Sequence, residues 1–210
     1  MTVIDVQAEY DARFYCLDSV WSVLADGPPM AVFAVQTPPT HDQTLGTFLR
    51  TGFEFYPYFI SFDTSFLPAN ATIQVAEFHS KGLLIFAPAN MELREYDFGP
   101  TLEASDWLTQ AAFAACPKLA TIPDLSLDNT MRAWTNENTM ISGINKAGHT
   151  RFVIAPGAYA NGLTPIADSG ASINSNLSID HNNRPYLHLE YTVASGLLKV
   201  WNGTSWEQNR

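Results

Sequence analysis

The stretch that decides the fold is residues 58–82, YFISFDTSFLPANATIQVAEFHSKG. Its first six residues put Tyr58, Ile60 and Phe62 on one side and Phe59, Ser61 and Asp63 on the other, the two-residue period of a strand with one buried face. Pro68, followed by Ala69, Asn70 and Ala71, stops that strand, because proline fixes its own φ and has no amide hydrogen to donate to a ladder. The apolar pattern resumes at Ile73 and Val75. The segment therefore reads as strand, corner, strand.

The same grammar extends outward. Residues 47–56 bring more Phe and Tyr to the core, and Pro57 marks a strand start or an edge. Residues 83–88, LLIFAP, read as a short buried strand whose hairpin partner is 91–98. Short strands are expected within 1–27 and 30–36, and a surface loop at Thr37-Pro38-Pro39-Thr40. Residues 104–116 form the one convincing helix, with Leu108, Ala111, Ala112 and Ala115 at helical spacing, Ser105 as its cap and Pro117 as its stop. A brief helical turn over 141–147 leads to a strand at 150–155. Long loops around a short strand at 171–179 fill 156–183. A closing strand, Arg184-Pro185-Tyr186-Leu187-His188-Leu189-Glu190-Tyr191-Thr192-Val193, aims Leu187, Leu189 and Tyr191 inward and Tyr186, His188 and Glu190 outward. After a hinge at Ala194-Ser195-Gly196, Asn202-Gly203 marks a tight hairpin turn flanked by Trp201 and Trp206.

Composition narrows the class. The chain has 210 residues, enough for one substantial core, and 46% of them are hydrophobic against only 15% charged. With 11 Lys and Arg against 21 Asp and Glu, the formal net charge of −10 repels a polyanion, so nucleic acid is not an expected partner. Cys16 and Cys116 read as buried free thiols, with a single bridge between them as the alternative. The first residues lack the basic and apolar regions of a secretory signal, and no apolar run reaches the roughly 20 residues needed to span a bilayer.

The corner FDTSxLPxxATI, together with the closing PYLxLxYT, resembles a family of jelly-roll β-sandwiches akin to the DNRLRE and carbohydrate-binding-module domains. The likeness spans about 53–193. It implies an all-β, antiparallel jelly-roll sandwich with one short helix, occupying 1–193 and followed by a hairpin-like extension over 194–210. Domains of this kind recur in bacteriophage virion proteins and in bacterial surface or carbohydrate-active proteins. The terminal string KVWNGTSW is similar to a short motif of phage tail proteins.

Catalytic patterns are not found. GxSxG, GxxxxGK[ST] and GxGxxG are all absent, and Ser169 and Ser205 fall in expected loops without an organised base. Glu92 and Glu95 point to opposite faces of a strand, so they cannot flank one glycosidic bond. His41, His79, His149, His181 and His188 show no paired-ligand spacing for a transition metal. No cofactor is expected. A structural calcium, as in related sandwiches, has Asp63, Asp168 and Asp180 as candidate ligands but no DxDxD-like cluster, and solvated loop acids are the plainer reading. Trp134, in a polar stretch, is the candidate glycan-stacking residue, with burial as the alternative, while Trp21 and Trp107 read as core.

These readings point to a non-enzymatic structural component of a phage virion, a head decoration or minor tail protein, made in the host cytoplasm. Its expected partners are other virion proteins and further copies of itself, with Trp201 and Trp206 as interface anchors and a host surface glycan as a further possible ligand. The rival reading is a carbohydrate-binding or adhesin module of the same fold.

Overall fold

Because Phe59 stands between Tyr58 and Ile60, large side chains occupy both parities of one strand, and both of its faces must be covered. In the computed structural model, that requirement places this strand at the centre. The structure describes residues 1–27, 31–33, 42–49, 52–87, 90–122, 131–134, 137–166, 168–174, 178, 180–194, 199–201 and 206–208.

The chain opens with β1 (Thr2–Gln7), β2 (Tyr10–Asp18), α1 (Trp21–Asp26), β3 (Ala31–Phe33), β4 (Asp42–Leu49) and β5 (Phe53–Tyr56). It continues through β6 (Tyr58–Asp63), β7 (Ala71–Ala87), β8 (Met91–Glu95), α2 (Gln110–Ala115), β9 (Lys118–Ile122) and β10 (Met131–Trp134). After α3 (Glu137–Ser142) come β11 (His149–Pro156), α4 (Gly157–Ala160), β12 (Ser169–Asn174), β13 (Tyr186–Val193), β14 (Lys199–Trp201) and β15 (Trp206–Gln208).

The fold is an all-β antiparallel sandwich. Hydrogen bonds link thirteen strands along the path β1-β13-β7-β12-β4-β5-β2-β6-β11-β8-β9, with β10 beside β7 and β3 beside β2. Two strands turn the path from one layer to the next. The first half of β7 pairs with β13 and its last residues with β12. Likewise β2 pairs with β6 at its start and with β5 at its end.

One core lies between the layers, where Tyr58, Ile60 and Phe62 of β6 and Phe152 and Ile154 of β11 meet Ala76 and Phe78 of β7 and Leu187 and Leu189 of β13. A second core lies on the opposite face of the same strands. There Phe59 and Val153 join Phe14 and Phe55 under Trp21 of α1, Phe113 of α2 and Tyr159 of α4. Phe55 and Tyr159 stack with centroids 4.3 Å apart, and Phe14 and Phe59 meet edge to face at 5.2 Å. The half-buried strand expected from alternation is thus buried on both faces as far as Phe62, and only Asp63 is exposed.

Several local readings change for identifiable reasons. The expected 104–116 helix is broken in two: a 3₁₀ turn at Ala104–Asp106 and α2. Between them Trp107 packs against Phe14 and Phe55, and the Leu108 carbonyl accepts from the Tyr159 hydroxyl at 2.7 Å. The cap is accordingly Thr109, whose Oγ1 accepts from the Ala112 amide at 3.2 Å, rather than Ser105. Among the described residues there are four short α-helices instead of one, and the turn expected at 141–147 begins in the end of α3. Residues 83–87 continue β7 rather than forming a new strand, and β8 pairs with β11 and β9 rather than with them. In β7 a bulge beside Glu190 and Tyr191 changes the phase, so Ile73 packs on the core while Val75 lies opposite outward-facing Glu190. The Thr37–Thr40 loop lies outside the described residues.

Deleting either side of β6 should therefore be equally damaging. We expect Phe59→Ala to lower unfolding free energy by about 3–5 kcal/mol and Ile60→Ala by about 2–5 kcal/mol in urea titrations. A Phe59→Ala effect within about 0.5 kcal/mol of zero would mean a solvated face and contradict the second core.

Candidate functional site

The quoted corner is a hydrogen-bonding hub. Thr64 is fully buried at the end of β6, and its hydroxyl lies 2.6 Å from the Asn145 carbonyl, 2.7 Å from the Gly148 carbonyl and 2.8 Å from Thr150 Oγ1. One hydroxyl proton is shared by the two carbonyls, while Thr150 can donate to the Thr64 lone pair. Lys146 adds bonds to the carbonyls of Ala69 and Ala71, at 3.2 and 2.9 Å. Asp63 Oδ1 accepts from the Ser65 hydroxyl and amide, at 2.6 and 3.0 Å, and these bonds hold its carboxyl below the usual range. The FDTS stretch thus joins the 143–148 turn to the β6–β7 corner.

The other calcium candidates are engaged separately. Asp168 Oδ1 accepts from the Leu49 amide at 2.7 Å, and Asp180 Oδ1 caps a 3₁₀ turn through the Asn182 amide at 3.0 Å. Among the described residues no group of three His, Cys, Asp or Glu side chains is placed to hold a metal.

Glu92 and Glu95 separate as expected. Glu92 is buried, with Oε2 receiving Arg94 Nε and Nη2 at 3.0 and 2.6 Å and Oε1 receiving Lys118 Nζ at 3.0 Å. Arg94 also donates to the carbonyls of Ala114 and Cys116 at the end of α2, at 2.9 and 2.6 Å, and lies over the Phe113 ring. This network ties a helix end to the sheet. Both cysteines are free thiols, Cys16 buried and Cys116 half-buried, where burial raises the Cys116 pKa.

The strongest concentration of titratable groups is on the outer face of β1, β13 and β7. Leu187 and Leu189 are fully buried, which leaves Tyr186, His188 and Glu190 on the opposite face. Register places Asp5 across from His188 on one side and Glu77 on the other. His188 Nδ1 lies 2.6 Å from Asp5 Oδ1 and Nε2 lies 3.6 Å from Glu190 Oε1. His79 pairs with Glu77 at 3.0 Å, stacks on Tyr186 with centroids 4.5 Å apart, and sits 6.0 Å from His188. Partial burial opposes charge on His188, yet the hydrogen bond and charge of Asp5, with Glu190 and Glu77, raise its pKa above the ordinary value. These imidazole–carboxylate pairs lie on the outer face of the sheet, where His188 can change its charge with pH.

Of the aromatic candidates, Trp21 is buried and Trp107 packs against the second core, as expected. Trp134 lies on β10 with its backbone opposite Phe78, in a stretch whose polar composition concealed the strand; its side chain lies outside the described residues. Trp201 and Trp206 face each other in the β14–β15 register, and their side chains likewise lie outside that set. No helix among the described residues is long and apolar enough to cross a membrane.

A raised folded pKa means that His188 adds stability which is fully present below its unfolded value and is lost as pH rises through the folded one. Its imidazole should titrate by NMR with a midpoint above about 6.5. Asp5→Asn should bring that midpoint down, and an unchanged midpoint would remove Asp5 as the cause. No family model matches the chain, nor does any curated protein, so the likeness to jelly-roll sandwiches rests on the residues of its corner and closing strand.

Proposed function

We propose that this chain is a non-enzymatic structural component of a bacteriophage virion, a head decoration or minor tail protein, in which the C-terminal hairpin is the attachment element. The observation that carries the reading is topological. Among the described residues β14 and β15 pair only with each other, Trp201 opposite Trp206, while β1 to β13 form the continuous sandwich. A hairpin outside the main ladder can be lent to a neighbour without opening the core, and Trp is the residue type that most often anchors interfaces. The likeness of KVWNGTSW to a phage tail motif adds the setting.

The polar groups support a scaffold more than a catalyst. Thr64, Glu92 and Arg94 are bonded into the frame, and the half-buried His79 and His188 are paired with carboxylates on the outer face of the sheet. A virion offers the same docking site many times, so contacts too weak to persist singly hold together on a lattice. Other virion proteins and further copies of the chain are the partners in this reading.

Removing residues 197–210 should leave the far-UV spectrum and thermal midpoint of the sandwich unchanged while reducing incorporation into purified particles. Incorporation of the shortened chain at the full-length level would remove the docking role from the hairpin. Absence of the full-length chain from particles would remove the virion assignment itself.

A further inference from the structure

Strand β1 is the last strand at one end of the hydrogen-bonded path, and among the described residues no strand pairs with its outer edge. Strand β9, at the other end, has α3 beside it, and the Thr139 hydroxyl of that helix donates to the Leu119 carbonyl. The open end of the ladder is therefore β1. A free edge invites another strand, and folded proteins generally defend one with proline, lysine, a bulge or an inward-pointing charge. The sequence TVIDVQ carries none of these, and its register with β13 runs unbroken from Thr2 to Gln7. Its one charge, Asp5, lies on the outer face of the sheet, where the carboxylate is held 2.6 Å from His188 Nδ1.

The ladder also fixes what the edge presents. The Ala8 amide donates to the Pro185 carbonyl at 2.9 Å in continuation of the β1–β13 register, so the even residues of β1 bond to β13. The amide and carbonyl groups of Val3 and Asp5 point the other way, toward the open side. Val3 is 54% exposed, and Ile4 and Val6 are only partly buried at the rim of the first core. A strand that covers this edge must offer apolar side chains on one face and backbone groups in step with Val3 and Asp5.

A second copy of β1 meets both demands. In an antiparallel pair, residues directly opposite share a face, so a two-fold axis through the edge has to pass through a residue. An axis at Asp5 would set two carboxylates opposite each other, which is destabilising. It would also carry the pairing to Gln7 and Ala8, where the chain is already turning into the other layer and the Glu9 amide donates to the Ser61 carbonyl at 2.9 Å. An axis at Val3 pairs only residues 1–5 and leaves Val6 uncovered. An axis at Ile4 has neither fault. It sets Thr2 opposite Val6, Ile4 opposite its own copy, and Val3 opposite Asp5, with no like charges facing.

We propose that β1 pairs antiparallel with β1 of a second copy about a two-fold axis at Ile4. Val3 of each copy then exchanges both backbone hydrogen bonds with Asp5 of the other, the rims of the two first cores meet through Ile4 and Val6, and the β13 and β1 strands of both copies become one continuous sheet. So short a pairing is a small interface and gives weak association in solution. The proposal is independent of the assembly reading, since it uses no residue of the hairpin.

The test is sedimentation velocity of the full chain over roughly 5–500 µM, a range that captures weak dimers. Dimer should appear with rising concentration. Val3→Glu, which places a carboxylate opposite Asp5 of the other copy twice by symmetry, should weaken dimerisation about tenfold, whereas Val3→Lys should keep it or strengthen it. A second measurement reads the register directly. The two Ile4 residues form a non-hydrogen-bonded pair with Cα atoms roughly 4.5 Å apart, within disulfide range, so Ile4→Cys should give a covalent dimer on mild oxidation above the wild-type background, and Val3→Cys far less. The proposal is overturned by a monomer throughout the range, by equal dimerisation of Val3→Glu and wild type, or by Val3→Cys crosslinking as readily as Ile4→Cys. Particle incorporation enters none of these measurements, so the two readings fail separately.

Discussion

Phe59 and Ile60 leave the same strand in opposite directions and both end fully enclosed, and the rest of the structure follows from satisfying the two at once. Apolar burial of this kind contributes about 25 cal/mol per Å², so a strand carrying rings on both faces is stable only as a middle layer. The β6–β11 ladder meets that constraint. One face receives the β7–β13 layer, the other receives α1, α2 and α4, and the turn through β12, β4 and β5 connects the layers without breaking the hydrogen-bonded path. Tyr58 is part of the same economy: its hydroxyl donates to buried Asp11 at 2.8 Å, and burial, with the charge and hydrogen bond of Asp11, keeps the phenol protonated well above its ordinary range.

Several polar side chains among the described residues hold the frame together. Thr64 joins a corner to a distant turn, and Glu92 and Arg94 fasten the end of α2 to the sheet. A buried ion pair of this sort is weak evidence for stability, because desolvation offsets much of the attraction, but removing one partner leaves an uncompensated charge. The His79–Glu77 and His188–Asp5 pairs differ in kind, lying on the outer face of the sheet. Against partial burial, the Asp5 carboxylate beside His188 raises its pKa, so the charge of the β13 face depends on pH.

Much of the frame was legible where burial is one-sided. The closing strand alternates cleanly, and its inward and outward residues are as its spacing predicts. Alternation misleads for β6 because Phe59 was read as an outward position, although Tyr58, Phe59 and Ile60 in succession already carry the signal of a strand covered twice. It misleads in β7 because a bulge leaves no mark in composition. The 104–116 helix has good periodicity, yet tertiary packing of Trp107 outweighs local propensity there. Strand β10 is hidden in a polar run, and the place of β1 at the end of the ladder depends on its pairing with β13, which no local pattern encodes. The Glu92–Glu95 separation was readable from parity alone; the partners of Glu92 were not.

Strands β1 to β13 form one continuous doubly packed ladder, while β14 and β15 pair with each other in a separate sheet, which in the proposed reading docks on a neighbour. Native-state amide hydrogen exchange on the free full-length protein tests that division most directly. The account predicts the slowest exchange, near the global unfolding limit, in Tyr58–Asp63 and His149–Pro156, with residues 199–208 exchanging through local opening at far lower cost. Protection of 199–208 equal to that of the β6–β11 ladder would show the hairpin to be integral to the folded core, and would contradict the account.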